Sequence, residues 1–165
     1  MAFDAFLKLD VIPGESTDDK HKDWIEILSF SWGVSQPASG SRSSGGAASA
    51  ERTNHADFHV VKALDKASPK LFLSCCKGEH IKEIKFALNR ATGDKQQYML
   101  YTLSDAIISS VHPGGSSHGS ETLPLEEVSF NYGKIELVYT ETDHKTGKPK
   151  GDVKGFWDLT GNKGG

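Results

Sequence analysis

Apolar residues recur at every second position over most of this chain, the pattern of strands with one buried face. Phe3, Ala5, Leu7 and Leu9 alternate with Asp4, Phe6, Lys8 and Asp10, which predicts a first strand closed by Pro13 and Gly14. A polar run over residues 15–23 leads to a second strand over residues 24–35. Trp24, Leu28, Phe30, Trp32 and Val34 share a core face that Glu26 alone interrupts. Ile25, Ile27, Ser29, Ser31, Gly33 and Ser35 then share the opposite face, which ends in small polar groups.

From Pro37 to Thr53 the alternation gives way to Ser, Gly and Ala, a composition that buries little area and is expected to project as a flexible loop. A third strand follows over residues 58–64. Ser68 as N-cap with Pro69 at the first helical position then predicts a short helix, in which Leu71/Cys75 and Phe72/Cys76 are spaced by four and Gly78 stops the turn.

Strands resume over residues 81–90 and, after a turn at 91–94, over 97–111. Beyond the glycine and serine loop at 112–120, residues 125–142 alternate again with a change of phase. Val128, Phe130 and Tyr132 sit at even positions, Ile135, Leu137 and Tyr139 at odd ones, and Gly133 marks the slip. A bulge or a switch between two sheets accounts for such a change. A last strand runs through Val153, Gly155 and Trp157. Six or seven strands and one helix predict a mainly β fold, a compact barrel or sandwich with one short flanking helix.

At 165 residues the chain is read as one domain over residues 1–165, the loop at 37–53 included. Its 19 basic and 22 acidic residues are mixed along the sequence, with no basic block suited to nucleic acid. No signal-peptide pattern or membrane-spanning run is evident, so the expectation is synthesis in the cytoplasm and no membrane insertion. Cys75 and Cys76 are adjacent and cannot pair without distorting the backbone, which predicts reduced, packed thiols.

Candidate chemistry is sparse. Gly115, Ser116, Ser117, His118 and Gly119 match a nucleophile elbow in letters, but that device needs a strand before the serine and a helix after it, and here two strands flank the segment. His55, Asp57 and His59 would fall on one face of a strand begun early, a conceivable three-ligand set for a divalent metal. Phe58 and Val60 define the core parity there, so the three polar groups read as the solvated side. No cofactor motif is present, and the chain is not read as an enzyme.

The run from Ile25 through Ser29, Phe30, Ser31, Trp32, Gly33, Val34, Ser35 and Gln36 resembles the central signature of the haemolysin co-regulated protein (Hcp) family of type VI secretion. Asp65, Lys66, Ala67, Ser68, Pro69, Lys70 and Leu71 at the helix start, Val128 to Ile135, and the closing Gly155, Phe156, Trp157 and Asp158 are similar to it as well. The resemblance implies a β-barrel subunit that forms homohexameric rings, and rings that stack into a tube inside a contractile sheath. It further implies a spike protein at the tip, small effector proteins held in the lumen, and release from the cell by the type VI route. It supplies no catalytic residues. Within that frame the small polar face of the second strand, Ser31 with Ser29 and Ser35, is expected to line the lumen and touch cargo. The alternative reading is a monomeric β-barrel that binds a small ligand in its interior.

Overall fold

The computed structural model describes residues 2–39, 49–50, 52–91, 93–119 and 123–165. The chain begins with β1 (Phe3–Leu9), β2 (Ile25–Ile27) and β3 (Ser29–Ser31), followed by β4 (Val34–Ser35), β5 (Ala38–Ser39), β6 (Ser49–Ala50) and β7 (Asn54–His55). Next come β8 (Phe58–Ala63), helix α1 (Ser68–Lys77), β9 (Ile81–Arg90) and β10 (Gln97–Gly114). The last four strands are β11 (Leu125–Asn131), β12 (Lys134–Thr142), β13 (Pro149–Asp158) and β14 (Lys163–Gly164).

Two sheet regions share the long strand β10. In the first, antiparallel pairing runs β2-β1-β9-β10-β12-β13-β14; in the second it runs β3-β8-β11-β10. The Gln97–Ser104 part of β10 belongs to the first sheet and the Ile107–Gly114 part to the second. Asp105 lies between them with φ 50°, a left-handed conformation that turns the strand from one sheet to the other. Gly133 sits at the same corner, where its N–H donates to the carbonyls of Ser104 at 3.0 Å and Asp105 at 3.2 Å. It separates β11, in the second sheet, from β12, in the first, which is the sheet switch that the change of phase implies.

Residues 24–35 do not form the single strand that alternation predicts. β2 pairs with β1, β3 pairs with β8, and the backbone changes sheets at Leu28, whose N–H donates to the Val61 carbonyl at 2.8 Å. The corner resets the parity, so Ile25 and Ile27 are buried while Leu28 is 59% exposed and Val34 also faces outward. Trp24 lies outside the main core and packs edge-on to His21, on the side of β1 that carries Phe6. The shorter elements also raise the strand number above six or seven. The barrel is open: among the described residues, the ladders leave β2, β3 and most of β13 with a free edge.

Aromatic packing between the sheets forms the centre. Phe30 from β3 lies 4.8 Å from Phe86 of β9, Phe58 of β8 lies 5.2 Å from the same ring, and Tyr101 of β10 is 5.5 Å from Phe58. Trp32 closes one end against Tyr101 at 5.7 Å. Such pairs contribute roughly 0.5–1.5 kcal/mol each beyond area burial.

Helix α1 ends as Gly78 predicts. Its φ of 59° lets the Gly78 N–H reach the Cys75 carbonyl and the Glu79 N–H the Ser74 carbonyl, both at 3.2 Å. The start differs from expectation: Ala67 occupies the N-cap, and the Ser68 hydroxyl is engaged by groups outside the helix. The buried stripe is Leu71 and Ser74 with Cys75 partly covered, whereas Phe72 and Cys76 face outward. The stripe follows from where α1 meets the sheet, which spacing within the helix does not specify.

The segment at 37–53 is more ordered at its base than its composition suggests. β4 pairs with β7 through Val34–His55 and Ser35–Asn54, and β5 pairs with β6 through Ala38–Ala50 and Ser39–Ser49. Residues 40–48, within the expected flexible loop, lie outside the described residues.

Candidate functional site

The outward face of the second sheet is a polar lattice built by cross-strand register. Ser31 of β3 faces His59 of β8, which faces Ser129 of β11, which faces Ser110 of β10. One row along, Ser29 faces Val61, then Glu127, then His112. The alternating residues on these strands, Phe30, Val60 and Val128, point into the core, which turns the polar set to the other side, where Ser129 is itself buried. Ser29 and Ser31 are both exposed. The His59 Nδ1 lies 2.6 Å from the Ser129 hydroxyl, and its Nε2 is 3.8 Å from the Glu127 carboxylate.

Ser35 does not join this lattice. It belongs to β4, in the separate ladder with β7, and its carbonyl accepts from the Thr53 hydroxyl at 3.3 Å. His59, Ser129, Glu127 and His112 complete the face without having been assigned to it from sequence. For His59, Ser129 and Glu127 the signal was the alternation of β8 and β11, whose even positions face the core.

His55, Asp57 and His59 point to separate partners. His55 Nδ1 lies 3.3 Å from the Tyr132 hydroxyl, and Asp57 accepts from Ser109 at 2.7 Å and Asn131 at 3.0 Å. Desolvation pulls His55 below the usual histidine range. Burial, with the Asp57 charge as a lesser cause, pushes the Tyr132 phenol up to about 12, and its hydroxyl donates to the Ala56 carbonyl at 3.0 Å. Ser117 lies in the connection between β10 and β11, and among the described residues no helix follows it.

Beneath the hydrophilic face is a polar cluster that the sequence analysis did not single out. Lys62 is fully buried, and its Nζ reaches Glu126 at 2.8 Å, Asp65 at 2.9 Å and Ser68 at 3.1 Å. The Ser68 hydroxyl in turn donates to Glu126 at 2.8 Å, so the cluster ties the first turn of α1 to β8 and β11. Lys62 and Glu126 both hold core-facing parity in their strands, the one signal of burial available in the sequence.

A second surface feature is apolar. A cleft of about 560 Å³ runs between Trp32, Val34 and His55 on one side and Leu137, Gly155 and Trp157 on the other.

Comparison with known proteins places these features in a family. Residues 6–139 match the family model described as type VI secretion system effector, Hcp. The chain is 36% identical to the protein hcp1 of Pseudomonas aeruginosa over 163 residues, 98% of each chain. A solved structure described as a type six secretion system protein superposes with a TM-score of 0.93 at 32% identity, covering 99% of this chain and 100% of that one. Hcp1 from Salmonella typhimurium superposes at 0.81 with 32% identity, covering 99% of both chains.

Proposed function

Since the chain belongs to the Hcp family of type VI secretion proteins, we propose that it works as a tube subunit: a homohexameric ring, stacked on further rings, that carries small effector proteins in its lumen. The single observation that carries the cargo part of this reading is the exposed polar face over Ser29, Ser31, His59 and Glu127. A tube wall needs one sheet face packed on a core and the other turned to a wide aqueous bore. The second sheet has that division, with Phe30, Val60 and Val128 inward and hydroxyl, imidazole and carboxylate groups outward. Such a face offers donors and acceptors without a large apolar patch, which suits holding a folded client and releasing it.

In this reading Ser31 and Ser29 contact cargo, and Ser35, on the separate ladder, meets cargo only where that ladder also borders the bore. The residues between Pro37 and Thr53 serve contacts between stacked rings. The spike and the contractile sheath are the further partners. The protein acts in the cytoplasm until firing and is then expelled by the type VI route, as a structural component and not as an enzyme.

Replacing Ser31 by Gln tests the cargo assignment, because a larger polar side chain on an exposed site crowds the face without entering the core. The expected outcome is an unchanged assembly on sizing, with loss of effector co-purification from the producing cell. Assembly and effector retention both equal to wild type would place cargo recognition elsewhere.

A further inference from the structure

The sheet face that carries Ser29 and Ser31 bears charge of one sign. The strands that build it are β3, β8, β11 and the Ile107–Gly114 half of β10, with Asp57 at the entry to β8. In a chain with 19 lysines and arginines, Lys62 is the one that falls on these strands. Register turns it to the core side, where it is fully buried and its charge is met by Glu126 at 2.8 Å and Asp65 at 2.9 Å. Among the described residues of these strands, therefore, no lysine or arginine faces outward.

Two carboxylates do face outward. Asp57 is exposed and held in place by the Ser109 hydroxyl at 2.7 Å and the Asn131 amide at 3.0 Å, both of which donate to it. Glu127 is 54% exposed, and its carboxylate stands 3.8 Å from His59 Nε2, beyond hydrogen-bond reach. One acid is anchored, and the other is open to a donor from outside. A single exposed ion pair contributes little to binding. Charges of one sign that line a cleft with low-dielectric walls act together, because the walls focus their field into the enclosed water. In a ring, every subunit adds the same two carboxylates to the bore.

We infer that this face selects its clients by charge, retaining small folded proteins that present a lysine- and arginine-rich surface to Asp57 and Glu127. Cationic side chains find carboxylates there together with the hydroxyls of Ser29 and Ser31, and meet no like charge from the sheet. Acidic clients meet the carboxylates with no cation to offset them. This inference rests on the cargo reading above and adds the class of protein that the face holds.

The test uses the full chain and reads, by sedimentation velocity in low salt, whether a labelled probe travels with the assembly. The probes are lysozyme and α-lactalbumin, which share a fold and a size and carry opposite net charge. Lysozyme is expected to travel with the assembly and α-lactalbumin to remain free. Raising salt toward about 1 M, where the screening length is about 3 Å, is expected to release the lysozyme. Asp57→Asn with Glu127→Gln is expected to weaken lysozyme binding on the order of tenfold. Asp10→Asn with Glu15→Gln, the same charge change at exposed positions between β1 and β2, is expected to leave it unchanged. Glu127→Lys is expected to shift the preference toward α-lactalbumin. Thermal transitions and sizing of each variant verify that fold and assembly are intact. Equal lysozyme binding by the two double variants, or a wild type without preference between the probes, would overturn the inference. The cargo reading fails separately, by effector retention in Ser31→Gln, so the two failures are distinguishable.

Discussion

Lys62 shows what a single side chain contributes when it has no access to water. Its ammonium group is held by two carboxylates and a hydroxyl, so the cluster is internally satisfied, and removing one partner leaves a charge buried without full compensation. Glu126→Ala is expected to cost on the order of 3–5 kcal/mol in chemical denaturation, whereas replacing the pair together, Lys62→Met with Glu126→Leu, recovers most of that loss. Asp18 gives a pH-dependent example. The hydrogen bond from His21, at 2.9 Å, is the main cause that holds its carboxyl below 3.8. A depressed folded value means that this contribution is present above the unfolded value and fades as pH falls through the folded one. Asp18→Asn should therefore be less stable at neutral pH and show a shallower loss of stability on acidification below about pH 4. Denaturation midpoints measured across that range check the sign. The two cases differ in legibility: core-facing parity marked Lys62 and Glu126, while no local pattern places His21 against Phe6 and Asn89, because those contacts join distant parts of the chain.

At the level of elements, sequence was most informative where a strand stays in one sheet. The bounds of β9 follow from the alternation of Ile84, Phe86 and Leu88, and the helix stop follows from Gly78. It was least informative over residues 24–35, where apolar residues continue through the corner at Leu28 and periodicity cannot register a change of partner. The phase slip at Gly133 was legible because two long runs of opposite parity flank it. Short ladders at 34–55 were hidden by a composition with almost no side chain to pattern. The ring-contact role proposed for this segment has a stability consequence. Its side chains are small and have little area to bury, so shortening the chain across residues 40–48 should leave the thermal transition within a few degrees while weakening association between rings. Calorimetry of the shortened chain, alongside sedimentation, reads both effects; a collapse of the thermal transition would make the segment part of the fold.

Among the described residues the molecule is a body of two main sheets with a polar outer face and an open apolar cleft, a distribution that suits a building block. Family membership was legible in four separated runs of sequence, and the polar lattice in part: Ser29 and Ser31 hold the exposed positions expected of them, but their neighbours across the sheet required the register. The central claim is that this chain is a ring-forming tube subunit, and the native mass of the purified wild-type chain tests it most directly. Light scattering coupled to size exclusion, at micromolar concentration and low salt, should return about six times the 17.9 kDa chain mass. A single species at the mass of one chain over the same concentrations would contradict it.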